Sequence, residues 1–371
     1  MSLPLPAPKR DFIGLAGKAH LATGGEPPLL VAHRAAFERF AADKARGFDG
    51  YSHHWEVANG LRGQIARWLG LEASGIGLLG NASEAIMRIA NSVDWRADDN
   101  AVVSELDYAS GRYALASLKE RSVDVRMVAA DGWTLSDDAL LQACDSRTRL
   151  VYISQVNALT GQHVEIEKIG AALAGSGTIV VNDASHGFGV VPVSGAHADF
   201  TVFCGYKFSL GIHEGVLAWN RRRCPDFTPD GVGWAAAEPG NGPGDFLRKP
   251  DARRVEYGNI GHLGAYLMCD SLDYLESFGI DAIAEHVRWL SGRLVDGFVA
   301  LGLDVMTPAV PAQRAGNAAF KWADTGGFLQ RAAQDDVLVW GDNGRIRASV
   351  HLFNDDDDID RLLDGLPRYI R

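Results

Sequence analysis

Lysine is scarce in this chain. Eight of the 371 residues are lysine (Lys9, Lys18, Lys44, Lys119, Lys168, Lys207, Lys249 and Lys321), and 47 acidic residues outweigh 36 basic ones, for a formal net charge of -11. Phosphate backbones and anionic bilayers are bound by clustered Lys and Arg, so neither a nucleic-acid partner nor a membrane surface is expected. Cysteine is rarer still. Cys144, Cys204, Cys224 and Cys269 form no CxxC pair and show no metal-ligand spacing, which reads as four reduced, structural thiols and no metal site. No stretch approaches the ~20 consecutive apolar residues of a membrane span. The amino-terminal "MSLPLPAPKRDFIGL" sets prolines where a signal peptide needs an unbroken apolar core, so a cytoplasmic protein is expected. The strand-to-helix turn "GLLGNASEAI" carries no GxGxxG of its own and no Walker loop, the GxGxxG spacing of "GIGLLG" falls within an apolar run read as a strand, and no HExxH is present, so the common dinucleotide, nucleotide and zinc-protease signatures are not met. The aspartates 355–358 lack the Gly and distal Glu of a calcium loop and read as acids that start a helix.

Between about residues 75 and 220 the chain alternates short apolar runs with helical patterns. The runs are "GIGLLG", "NAVVSE", "VDVRMVAA", "RLVYISQ", "TIVVND", "DFTVFCG" and "GVLAWN", all but "VDVRMVAA" without polar alternation, and stretches such as "SEAIMRIANSV" separate several of them. Strands of that kind belong to a sheet covered on both faces, which predicts an α/β fold with a mainly parallel seven-stranded sheet. A Pro- and Gly-rich stretch over 224–250 reads as a long surface connection. Two amphipathic helices follow, then short strands near "LDVMTP", "NAAFKW", "VLVWG" and "RIRASVH", and a helix from "NDDDDIDRLL". The expected organisation is a large cofactor-binding α/β domain over 20–250 and a small α+β domain from 1–19 and 251–371.

Open α/β sheets bind ligands at the carboxyl ends of their strands, and several of those ends carry polar residues. "GLLGNASEAI" passes through Ala82 and Ser83 into a helix, a start that favours an anion, though Ser83 taken alone reads more readily as a cap, with Glu84 in the first turn. "VYISQVNALTG" places Asn157 after a strand, and "TIVVNDASHG" ends in Asp183 with His186 three residues on. "DFTVFCGYK" ends in Lys207, the one lysine that directly closes a strongly apolar strand. A lysine desolvated in this way can form a Schiff base with an aldehyde. Phosphate, ring nitrogen and aldehyde together would use every one of these residues, and pyridoxal 5'-phosphate (PLP) carries all three.

With those motifs in view, the chain resembles the class V aminotransferase family of fold-type I PLP enzymes, which includes kynureninases, cysteine desulfurases and isopenicillin N epimerase-like proteins. The interval from Asp183 to Lys207 is similar to the family's interval between its pyridine-nitrogen aspartate and its Schiff-base lysine. The resemblance implies that Ala82 and Ser83 hold the cofactor phosphate, Tyr108 stacks on the ring, and Asn157 lies beside the substrate or the ring oxygen. It implies that His186 sits near that oxygen with a part in catalysis, Tyr206 of "CGYK" contacts the phosphate, and Arg347 of "RIRAS" binds the substrate carboxylate. Asn259 in "EYGNIGHLG" would stand where relatives reach the phosphate site of a partner subunit, and a homodimer with shared sites is implied. Residues 270–371 contain no cysteine, so a persulfide-forming desulfurase is not expected.

The implied activity is a PLP enzyme acting on an α-amino acid through an external aldimine. "QVNALTG" and "CGYK" favour Cβ-bond cleavage, by a C–S lyase or a kynureninase-like hydrolase. A class V aminotransferase and an amino-acid epimerase are the alternatives within the family. Outside it stand a non-catalytic binder of a phosphorylated ligand and a metal hydrolase built on His53, His54 and His163. The last is disfavoured because adjacent histidines point to different sides of regular structure.

Overall fold

A computed structural model describes residues 4–371; residues 1–3 of the segment assigned to the small domain lie outside the described residues. The strands are β1 (Ala19–His20), β2 (Ile76–Leu79), β3 (Asn100–Ser104), β4 (Asp124–Val128), β5 (Thr148–Ser154), β6 (Ile179–Asp183), β7 (Phe200–Cys204), β8 (Gly215–Trp219), β9 (Ala237–Pro239), β10 (Phe246–Arg248), β11 (Asn317–Lys321), β12 (Val337–Leu338), β13 (Trp340–Asp342) and β14 (Arg345–Ser349). The helices are α1 (His33–Lys44), α2 (Phe48–Leu69), α3 (Ala82–Ser92), α4 (Ala109–Ser117), α5 (Asp137–Gln142), α6 (Ile166–Ala172), α7 (His262–Phe278), α8 (Ile280–Ala300), α9 (Thr325–Gln334) and α10 (Asp356–Tyr369).

The seven apolar runs become one sheet in the order β2-β8-β7-β6-β5-β3-β4. Pairs among β4, β3, β5, β6 and β7 are parallel, and β8 runs antiparallel between β7 and β2. Both faces are covered across the rest of the sheet, which is why those strands are largely apolar, while the edge strand β4 leaves Asp124 and Met127 exposed. Leu150 and Tyr152 of β5, Val181 of β6 and Phe200 and Val202 of β7 pack toward α3 and α4. Val151, Ile153 and Val180 point the other way, into a core shared with α5 and α6. The register then sets the functional rim: Ser154 pairs with Asp183, Asp183 with Val202, and Cys204 and Leu79 both with Gly215. The ends of β2, β5, β6 and β7 and the start of α3 therefore meet at one edge.

The carboxyl-terminal part builds the antiparallel sheet β11-β14-β13, flanked by α8, α9 and α10, and β12 pairs with β1. "LDVMTP" forms an isolated bridge from Val305 to Phe320 rather than a strand. α7 packs on α1 and α2. The surface connection folds back as the β9/β10 hairpin. Asp355 caps α10 by accepting from the Asp358 N–H, and Lys9 bridges to Asp358 at 2.6 Å, which pins the amino-terminal segment to that helix. Among the described residues no helix is long and apolar enough to cross a membrane.

Candidate active site

A narrow cleft opens at the rim, lined by Ala82, Ser83, Tyr108, Asp183, His186, Tyr206 and Lys207, with Ser110, Ser154, Ser185 and Cys204 between them. A wider surface groove bounded by Arg39, Asp43, His53 and Tyr266 is larger, but no lysine lines it. Chemistry rather than size singles out the rim.

Lys207 is 8% exposed and, among the described residues, makes no ion pair. Its Nζ lies 5.0 Å from the centroid of the Tyr108 ring and 5.7 Å from that of Tyr206. Asp183, also buried, accepts a hydrogen bond from the Tyr152 hydroxyl at 2.5 Å and one from the Ser185 N–H at 2.9 Å, yet it too has no cationic partner. An unpaired amine and an unpaired carboxylate in one dry cleft are costly unless a ligand answers both.

The start of α3 differs from the expected cap. Asn81, not Ser83, accepts from the Glu84 N–H, and Ser83 Oγ lies 2.7 Å from Ser110 Oγ at the first turn of α4. The N–H groups of Ala82 and Ser83 have no acceptor within the helix, so two hydroxyls and two amides converge as an anion cradle. The loop can come this close to the sheet because residue 215 is glycine: a Cβ there would stand 2.4 Å from the Asn81 backbone carbon. Tyr206 stacks on His213 with centroids 4.7 Å apart, and burial pushes its phenol up, so it remains a donor.

His186 is buried, and burial first, then the charges of Lys207, Arg347 and Arg345, pushes its pKa well below the ordinary value. Asn317 donates from Nδ2 to its Nδ1 at 3.0 Å, and Ser349 holds the Asn317 carbonyl at 2.8 Å. The neutral ring therefore carries its proton on Nε2. Arg347 lies behind this group, 4% exposed, with one Nη donating to the Ala158 carbonyl at 2.8 Å. It makes no ion pair among the described residues, its Nε has no partner, and burial and Arg345 lower its pKa.

Two candidates stand apart from the cleft wall. Asn157 spends its carbonyl on the N–H groups of Leu159 and Thr160 and its amide on the Leu106 carbonyl, so it shapes the loop that carries Val156 and Ala158 into the lining. Asn259 is exposed and accepts from the Tyr51 hydroxyl at 2.9 Å. Tyr152, Ser110, Ser185, Asn317 and Ser349 were not singled out in the sequence. Tyr152 was the accessible clue, as the aromatic residue of a strand paired directly with the one ending in Asp183.

The residues present fit PLP. The cradle suits a phosphate, Asp183 lacks the cation that a protonated ring nitrogen would supply, and Lys207 is an amine without a counter-ion. A sequence model of the family described as Aminotransferase class-V matches residues 22–362. The chain belongs to this family. The class V aminotransferase family is PLP-dependent, and this member is a PLP-dependent enzyme of the fold-type I architecture. A protein of Methanothermobacter thermautotrophicus described as a probable cysteine desulfurase is 26% identical over 364 residues, covering 90% of this chain and 89% of its own. An apo cysteine desulfurase from Thermococcus onnurineus NA1 superposes with a TM-score of 0.91 at 19% identity, covering 100% of this class V chain and 99% of its own. The cystine C–S lyase C-DES, in complex with its reaction product cysteine persulfide, superposes at 0.86 with 20% identity, covering 96% and 98%.

Proposed function

We propose that this enzyme is a C–S lyase that cleaves the Cβ–S bond of a cysteine-type α-amino acid, releasing pyruvate, ammonia and the sulfur-bearing fragment without loading sulfur onto a cysteine of its own chain. The observation that carries the reading is the pair of unpartnered charges, Lys207 and Asp183, in the cleft that Arg347 backs. Relatives described as cysteine desulfurases and a C–S lyase support sulfur at Cβ. Cys144, Cys224 and Cys269 lie away from the cleft, and Cys204, which lines its floor, is 1% exposed, with its thiol pushed up by burial. None of the four is an accessible thiolate acceptor for sulfur.

Bound PLP supplies an electron sink for the charge left at the amino acid's Cα. The chain's own groups then divide the work. Ala82, Ser83, Ser110 and Tyr206 would hold the phosphate, Asp183 the ring nitrogen, Tyr108 the ring face and the Nε2–H of His186 the ring oxygen. Arg347 would take the substrate carboxylate through two parallel N–H donors, which fixes Cα in place. The freed Lys207 amine moves the Cα proton. The apolar strands beneath exclude water. Asn157 would position the substrate-side loop. Asn259, exposed at its loop, is proposed to reach the site of a second subunit in a cytoplasmic homodimer. The proposed division into units 20–250 and 1–19 with 251–371 is supported by the separate sheets, with α7 bridging to α1 and α2.

Product analysis of the PLP-loaded protein with L-cysteine and L-cystine tests the assignment. Pyruvate with sulfide or persulfide is expected. Alanine with protein-bound persulfide would make it a desulfurase, keto-acid-dependent amino transfer an aminotransferase, and a D-amino acid an epimerase.

A further inference from the structure

Asp183 has a neighbour beyond the cofactor groups already described. Tyr152 is fully buried on β5, on the same face of the sheet as Asp183. Its ring has room because Gly111 in α4 has no side chain: a Cβ there would lie 2.1 Å from Tyr152 Cε1. So placed, the hydroxyl reaches Asp183 Oδ2 at 2.5 Å. A second carboxyl, Asp107, is 1% exposed close by. It accepts from the Ser154 N–H at 2.8 Å and the Ser104 N–H at 3.0 Å, tying the ends of β3 and β5 together.

No Lys or Arg forms an ion pair with either carboxyl among the described residues. Burial first, and Asp183 among the further causes, raise Asp107 to about 6, and the Tyr152 phenol is pushed up by burial and by both carboxylates, so it can only donate. The Cys204 thiol and the Tyr206 phenol, also raised, face Asp183 from the end of β7. Two like charges this close in a dry interior compete, and the donor decides which of them is favoured. Tyr152 donates its hydrogen bond to Asp183 and leaves Asp107 to backbone amides.

We propose that Tyr152 is a positioning residue whose hydrogen bond holds Asp183 aimed at the ring nitrogen of the cofactor, in preference to Asp107. The assignment rests on the PLP reading above. Tyr152 acts through Asp183 and touches no reacting atom. A charge-assisted hydrogen bond favours the ionised acceptor, and the ionised acceptor in turn favours a protonated ring nitrogen.

The test loads wild type and Tyr152→Phe with PLP labelled with ¹⁵N in the ring and follows the nitrogen's chemical shift against pH. In Tyr152→Phe the ring nitrogen is expected to lose its proton at a pH lower by about one unit, with PLP bound roughly tenfold more weakly. Site-specific 3,5-difluorotyrosine at position 152, a stronger donor of nearly the same shape, should move the midpoint the opposite way, and it decides the matter if Tyr152→Phe does not fold. Titration curves and dissociation constants that coincide with wild type in these variants overturn the proposal while leaving the PLP reading intact. A wild-type protein that takes up no PLP overturns both.

Discussion

Replacing Lys207 by alanine is expected to abolish turnover and the visible absorption of the PLP-loaded protein, while leaving the fold unchanged, because its ammonium makes no ion pair that the structure would lose. A Schiff-base absorption band retained in Lys207→Ala would place the cofactor on another amine. Arg347→Gln separates substrate from cofactor: KM for the amino acid should rise roughly tenfold or more, with PLP affinity unchanged, since the guanidinium is held for an anion rather than for a neighbour. A KM within experimental error of wild type would move the carboxylate elsewhere. Lys207 and Asp183 were legible in the sequence because a charge that closes an apolar strand contradicts its surroundings. Tyr152 and Ser110 were not. An aromatic in a strand and a serine in a helix are ordinary until strand register and the packing of α4 on β5 bring them to Asp183 and Ser83.

At the scale of elements, the rim depends on backbone approach as much as on side chains. Gly215→Ala would drive a methyl into the Asn81 backbone and push the start of α3 away from the sheet. The expected result is about 1–3 kcal/mol of lost stability, measured by urea unfolding, together with weaker PLP binding. Loss of stability without loss of affinity would detach the cradle from α3. His351 joins the two parts of the chain: its Nε2 donates to the Phe208 carbonyl, next to Lys207, at 2.8 Å, and its Nδ1 accepts from the Leu352 N–H at 2.7 Å. Burial lowers its pKa to about 4. The unfolded chain takes up a proton below about pH 6.5 and the native ring does not, so this residue's stabilising contribution falls as pH drops from about 6.5 toward that value. His351→Gln should therefore cost about 1–3 kcal/mol at pH 7, and less at pH 5. A gap that widens toward pH 5 would contradict a neutral histidine. The large-sheet strands were legible as apolar runs, six of them because a doubly covered sheet leaves no polar alternation, whereas the edge strand β4 sets Asp124 and Arg126 among its apolar residues. "LDVMTP" was not, because its apolar residues make one bridge to Phe320 instead of a ladder.

For the whole molecule, the sheet topology turns four weak local signals into one site. Asn157, Asp183, His186 and Lys207 are scattered over some fifty residues of sequence, and parallel pairing of β5, β6 and β7 sends their strand ends to the same edge, where Asp183, His186 and Lys207 line the cleft and Asn157 shapes the loop beside it. What topology does not decide is where the sulfur goes once the Cβ–S bond is broken, and there the chain's own cysteines are the discriminating feature. The most direct measurement is the product ratio from a variant in which Cys144, Cys224 and Cys269 are serine and Cys204 is alanine, loaded with PLP and given L-cystine. The lyase reading predicts pyruvate in equal amount to the persulfide or sulfide released, at an undiminished rate. Pyruvate formation that disappears with the cysteines, or alanine as the product of the unmodified protein, would contradict it.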